Sequence, residues 1–361
     1  MRGEKMKTKL IWLLNFLRIA IFALPLLAFP SDQPGLTITQ FEVNELPQFS
    51  LYISVTDQTG KPIRLAESTL SPDKGIVKVF EDGQPVVVNE ITPVLDLTDS
   101  EISRFYIILV LDNSDSMQKF LKKVKFAADQ FIDQVRKQDK ISIVVFDPRK
   151  KSYHAKLLQS FTNIKHVLKT KTLLMNLTRK TYLYDAIYLA FLKLREERTI
   201  GRKVIVVLSD GNDIGSKYCL KDMIQIAKYS DIPIYAIDFS PKKNRNLKKL
   251  ANETNGRYFR ATKADELVKL YEAILEQLQG QYRVTYTTAN EDWTTPSRAL
   301  RVEIQEDNQL LSAERVYQPD VARLQYLALR YKEAVSKTDS KDYLQYLDLY
   351  PNSEWLSLIH I

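Results

Sequence analysis

Among its 361 residues the chain has one cysteine, Cys219. A single thiol excludes an internal disulfide framework and any cysteine-rich zinc site. Histidine is almost as scarce: His154, His166 and His360 are too few and too scattered to build an imidazole metal centre. Any metal would therefore be held by oxygen, which favours a hard cation such as Mg²⁺. No G-x-S-x-G elbow is present, and no Ser–His–Asp or Cys–His set has a recognisable spacing. Hydrophobic residues at 45% and charged residues at 27% exclude a disordered, collagen-like or polytopic membrane chain. The formal charge of +8 is uneven. Residues 1–30 carry +4 of it, which leaves a mild +4 elsewhere and no argument for nucleic acid from charge alone.

The N-terminus has the order of a secretory signal peptide. Arg2, Lys5, Lys7 and Lys9 precede an apolar run over 10–29, followed by Pro30, Ser31 and Asp32. This places the protein in the periplasm, in the cell envelope or outside the cell. An uncleaved anchor is the alternative, and it would be the chain's one link to a membrane; Arg18 weighs against deep insertion.

Three textures follow. Residues 36–103 alternate apolar and polar positions between turn signals such as Asp57-Gln58-Thr59-Gly60 and Glu81-Asp82-Gly83, and read as strands. Residues 281–318 return to the same texture. Between them, 104–280 alternates short apolar runs at 105–111, 141–146, 204–208 and 232–237 with helical patterns at 182–197, 218–229, 243–254 and 263–279. Phe120, Val124, Ala127, Phe131 and Val135 recur at helical spacing after the first run. The alternation predicts an α/β domain with a doubly wound, mostly parallel, Rossmann-like sheet covered by helices on both faces. The flanks read as β-sandwich-like segments that together complete one sandwich, because two separate small β elements would each bury little. Residues 319–361 read as a helical tail, either a capping helix or a remnant of a tetratricopeptide-like repeat.

Sites in such a sheet form at the carboxyl ends of the strands. The first apolar run leads straight into Asp112-Asn113-Ser114-Asp115-Ser116. Another ends in Ser209-Asp210-Gly211, and Thr181 stands before Tyr182-Leu183-Tyr184-Asp185-Ala186. Asp112, Ser114, Ser116, Thr181 and Asp210 supply two carboxylates and three neutral hydroxyls. That set suits an octahedral hard cation with one position left over. Taken singly, Asp112, Ser114 or Thr181 would read as a helix cap. Asp213, close by, reads as a solvated or helix-capping residue, with a supporting role at the site as the alternative.

The order D-x-S-x-S, then Thr before Leu-Tyr-Asp-Ala, then Ser-Asp-Gly resembles the von Willebrand factor type A domain and its metal-ion-dependent adhesion site, over about 104–280. The resemblance implies direct ligation of Mg²⁺ or Mn²⁺ by Ser114, Ser116 and Thr181, with Asp112 and Asp210 ligating directly or through water. Arg179-Lys180 stand where the family often has glycines. The flanks, with Val55-Thr56-Asp57 and Val77-Lys78-Val79-Phe80-Glu81-Asp82-Gly83 before the domain and Gln281-Tyr282-Arg283-Val284 after it, resemble a family of exported bacterial proteins that carry this domain.

These features predict an exported, non-enzymatic, divalent-metal-dependent protein-binding module for adhesion or scaffolding, whose metal receives a partner carboxylate. A basic rim at the strand ends, Lys119, Arg149, Lys150, Lys151, Arg179, Lys180, Lys242, Lys243 and Arg245, points to an acidic protein or peptide partner. One alternative is a Mg-dependent hydrolase or other envelope enzyme. Asp112 after an apolar strand also opens the haloacid-dehalogenase phosphatases, but those need a second Asp where Ser114 stands. The other alternative is a nucleic-acid binder using the lysine-rich stretches 119–125 and 242–249. Export argues against it, and such runs are usually solvated helix faces.

Overall fold

The computed structural model describes residues 35–97, 104–150, 153–197, 201–210, 213–240, 242–290, 292, 297–306 and 309–317. The N-terminal export segment, the tail at 319–361, Lys151 and Gly211 lie outside the described residues.

Continuous apolar runs make the strands of the first sheet. In β5 (Phe105–Leu111) every residue is buried, as a strand covered on both faces requires. Around it run β6 (Lys140–Phe146), β7 (Ala155–Thr162), β8 (Arg202–Ser209), β9 (Ile234–Asp238) and β10 (Tyr258–Arg260), in the order β10-β9-β8-β5-β6-β7. All pairings are parallel except β6 with the edge strand β7. Alternate residues of β5 serve opposite faces. Ile107, Leu109 and Leu111 pack with α1 (Leu121–Gln134) and α6 (Leu267–Gln279) through Val124, Phe131, Leu267 and Tyr271. Tyr106, Ile108 and Val110 share a core with α3 (Leu183–Glu196), α4 (Leu220–Ser230) and α5 (Arg245–Glu253). A further helix, α2 (Lys165–Leu173), follows β7 and adds Leu168 to the first of these cores. The helical stripe expected from Phe120 departs in one place. Phe120 precedes α1 and is 36% exposed, with its ring edge-on to Phe239 at 4.7 Å.

The flanking segments form a second, antiparallel sheet. Its strands are β1 (Gly35–Glu45), β2 (Gln48–Thr56), β3 (Val77–Glu81), β4 (Gln84–Pro93), β11 (Gln281–Thr287), β12 (Arg298–Glu306) and β13 (Gln309–Tyr317), in the order β1-β2-β11-β4-β3-β12-β13. β11, from after the α/β unit, pairs on one side with β2 and on the other with β4, both from before it. The flanks thus share one sheet. β4 is long enough to pair with β3 through Gln84–Val86 and with β11 through Val87–Pro93, which joins the two groups of strands. The outermost strands meet where the rings of Phe41 and Tyr317 lie 3.8 Å apart, and the apolar face encloses Leu51, Ile53, Val284, Tyr286, Val302 and Ile304.

The two sheets are fastened at the amino ends of the parallel strands. Arg202, the first residue of β8, is 1% exposed and stacks on Tyr52 at 4.0 Å and on Phe105 at 4.4 Å. Its guanidinium donates to the side-chain oxygens of Gln40 and Gln281. Asp231, at the end of α4, accepts from the Phe41 amide at 2.6 Å and pairs with Arg315 of β13. The turn at Gly60 docks on Arg257 and Gln277, which donate to its carbonyl. Gly60 has φ +79°, a left-handed conformation that favours glycine, and a Cβ there would also displace the Arg257 guanidinium from its contact with the turn. The carboxyl ends of the parallel strands remain for the site. No helix among the described residues is long and apolar enough to cross a membrane.

Candidate metal centre

β5 and β8 are neighbours at the point where the strand order reverses, with Leu111 opposite Leu208. Asp112 and Ser209 therefore leave the sheet side by side, and the Asp112 amide donates to the Leu208 carbonyl at 3.0 Å. Asp112 is fully buried. One of its oxygens accepts from the Ser114 amide at 2.8 Å and the Ser114 hydroxyl at 2.5 Å; the other accepts from the Ser209 hydroxyl at 2.6 Å. Ser114 Oγ lies 2.9 Å from Ser116 Oγ, and Ser116 Oγ donates to Asp210 Oδ1 at 2.9 Å. Four of the five predicted ligands thus stand in one hydrogen-bonded row that reaches the surface at Ser116.

Thr181 comes from another loop and is 4% exposed. Backbone contacts bring that loop in. The Thr178 amide donates to the Asn113 carbonyl at 2.7 Å, Ser114 and Thr178 form a parallel bridge, and the Ile214 amide donates to the Thr181 carbonyl at 3.1 Å. The Thr181 hydroxyl is not part of the row itself.

The helix-cap explanation fails on geometry. No side-chain cap bond is made at Ser114, and α1 and α3 start from Phe120 and Tyr182 without one. Burial pushes the Asp112 carboxyl above its ordinary value, against its hydroxyl and amide donors. Burial first, and then the charge of Asp112, pushes Asp210 up to about 6. Neither carboxylate has an ion-pair partner among the described residues. Two crowded carboxylates with neutral hydroxyls between them are a donor set that fits a small hard cation. Among the described residues no group of three or more His, Cys, Asp or Glu side chains is placed to hold a metal, so the hydroxyls are essential to any site here.

Several supporting residues escaped the sequence reading. Ser209 lies inside the Ser-Asp-Gly motif, beside the predicted ligand Asp210. Asn113 donates to the carbonyls of Phe146 at 3.2 Å and Asn176 at 2.5 Å and accepts from the Phe146 amide, so it ties three loops together. An Asn enclosed by two motif residues in a buried turn was the available signal. Asp185, fully buried in α3, accepts from the amides of His154 and Lys217 and lies 2.8 Å from His154 Nδ1. His154 in turn stacks on Tyr182 at 4.6 Å. Asp213 accepts from the Tyr184 amide at 3.3 Å, a capping contact on α3 made from a distant loop.

Lys119, Arg149, Lys150, Arg179, Lys180, Lys242, Lys243 and Arg245 are all exposed, on the segments that follow the parallel strands or carry Thr181, with Arg245 as the first residue of α5. Their charge is not equally free. Arg149 grips Asp147 through two bonds of 3.0 Å, and this contact holds the Asp147 carboxyl below its usual range.

Residues 107–273 match the family model of the von Willebrand factor type A domain. The chain is similar to the solved von Willebrand factor type A structure from Catenulispora acidiphila (10% identity, 81% of this chain and 75% of that one, TM-score 0.43). It is similar to the vWF domain of the type V pili tip protein Mfa5 from Porphyromonas gingivalis (13% identity, 49% and 96%, TM-score 0.39). It is also similar to proximal thread matrix protein 1 from the mussel byssus with a zinc-occupied MIDAS motif (18% identity, TM-score 0.43), covering 50% of this chain and spanning 46% of that protein's length. No curated protein matches the chain. The parallel-sheet part of this protein, over residues 107–273, is a von Willebrand factor type A domain.

Proposed function

We propose that this protein is an exported, non-enzymatic module that captures an acidic protein or peptide through a divalent cation, Mg²⁺ or Mn²⁺, held by Asp112, Ser114, Ser116, Thr181 and Asp210. The observation that carries this reading is the row of hydroxyls running between two carboxylates that have no ion-pair partner among the described residues. When bound, the cation supplies an electrophilic position for a partner's carboxylate. Asp112 is held by three donors and cannot swing away, while Ser116 lies at the surface with Asp210 half-buried beside it, so that a cation held between them would be open to the incoming carboxylate. Ser209 and Asn113 fix the turn. Arg179 and Lys180, next to Thr181, raise the local concentration of acidic partners.

The test is capture of an Asp/Glu-rich peptide by the full chain, with Mg²⁺ titrated in and then removed by EDTA. Binding is expected to need the cation and to fall at least about 100-fold in Asp112→Ala, a loss of about 2.7 kcal/mol. Calorimetry with Mg²⁺ alone should show the lost cation affinity in a variant whose circular dichroism is unchanged. Equal binding in EDTA overturns the proposal.

A further inference from the structure

We propose that Ile214 is a specificity residue of this site, selecting acidic segments in which the metal-binding Asp or Glu is adjacent to a bulky apolar residue. The inference rests on the metal-dependent reading above and adds the chemistry of the partner's next side chain.

Ile214 is 69% exposed, although its amide is bonded to the carbonyl of Thr181, one of the five predicted ligands. An apolar side chain in a flexible loop would fold back onto the protein, but this loop is not free to do so. Asp213 accepts from the amides of Tyr184 and Ser216, Ser216 Oγ accepts from the Asp185 amide, and Asp185 accepts from the Lys217 amide at 2.8 Å. Gly215 lies so close to the Tyr182 ring that a Cβ would meet it at 2.6 Å, and His154 stacks on the same ring. The loop is therefore stapled to the start of α3 on both sides of Ile214, and the isoleucine is held in water at a position whose backbone is bonded to that of Thr181.

Just before α1, Phe120 is also partly exposed, but its ring is already engaged with Phe239. Ile214 is the freer apolar contact. Arg179 and Lys180, exposed on the loop that carries Thr181, add positive charge to that loop, which fits an acidic segment and opposes a purely apolar one. A ligand that places a carboxylate on the cation and a Leu, Ile or Phe next to it would bury Ile214 without moving the loop.

The experiment compares two peptides of equal charge, one with Leu or Phe beside its central Asp and one with Ser there. Fluorescence anisotropy with the full chain in Mg²⁺ reads the affinities. The apolar peptide is expected to bind about tenfold more tightly, the worth of burying part of one aliphatic side chain. In Ile214→Ser that ratio should fall to near one, with Mg²⁺ affinity by calorimetry unchanged, and Ile214→Leu should restore it. A ratio unchanged in Ile214→Ser overturns the assignment of Ile214 and leaves the metal reading standing. A preference that persists in EDTA and in Asp112→Ala, yet is lost in Ile214→Ser, overturns the metal reading and keeps Ile214. No binding of either peptide overturns both.

Discussion

Buried carboxylates are handled in opposite ways in the two sheets. In the antiparallel sheet Glu81 is 3% exposed and meets Arg298, itself buried, at 2.8 Å, with the hydroxyls of Tyr286 and Thr288 on the same carboxylate. The charge and the hydrogen bonds of the Glu81 carboxylate are both satisfied. In the parallel sheet Asp112 is buried just as deeply and Asp210 partly so, but their partners are neutral hydroxyls and amides, and Asp210 is raised to about 6. The first arrangement is complete in itself and holds a fold. The second leaves negative charge uncompensated where the chain reaches solvent, and a fold gains nothing from that unless a cation comes from outside.

The comparison can be broken most severely at the completed pair. Arg298→Ala strands Glu81 in an apolar sheet. It is expected to cost about 3–5 kcal/mol in urea denaturation while leaving Mg²⁺ affinity intact. A cost below about 1 kcal/mol would mean that Glu81 is not confined as described.

At the uncompensated pair the sign reverses. A carboxyl whose folded pKa lies above its unfolded value binds protons more readily when folded. Metal-free stability therefore falls as pH rises from near 4 through about 6. Asp210→Asn removes that penalty, so at pH 7 without divalent ions it should melt a few degrees higher than wild type, or at least no lower. Mg²⁺ should raise the melting temperature of wild type but not of the variant. For the same reason wild-type Mg²⁺ affinity should decline as pH is lowered from 7 to 5, as protons compete at Asp210. A metal-free variant less stable than wild type at pH 7 would show that Asp210 serves the fold.

The smallest effect concerns the rim. Arg149 is largely spent on Asp147, so Arg179→Ser with Lys180→Ser should flatten the salt dependence of peptide association more than Arg149→Ser does. Screening acts over about 8 Å at physiological salt, and stopped-flow rates between 50 and 300 mM salt, on the order of a few-fold apart, read it. Equal slopes for all variants would remove the rim from the encounter.

The parallel sheet was the more legible half. Its central strand is wholly apolar from Phe105 to Leu111, and the four later helical patterns found their helices within a few residues of the expected bounds. The edge strand β7 and the short helix α2 went unread. Their burial is mixed, with neither a continuous apolar run nor a clear period. Strand β10 is three residues long and exists only because it lies against β9.

Residue identity and chain order determined the strands, most of the helices and the set of oxygen side chains at the strand ends, because these depend on spacings within a few residues. Tertiary structure alone decided which strands became neighbours: β11 between β2 and β4, and β5 beside β8, so that Asp112 meets Ser209 and Ser116 meets Asp210 across more than ninety residues of sequence. It also decided that Arg202 would be buried between Tyr52 and Phe105, and that Ile214 would be kept in solvent by a loop stapled on both sides. A polar residue is buried, or an apolar one exposed, by partners far along the chain. Those partners are chosen by the packing of whole sheets, which no local pattern encodes.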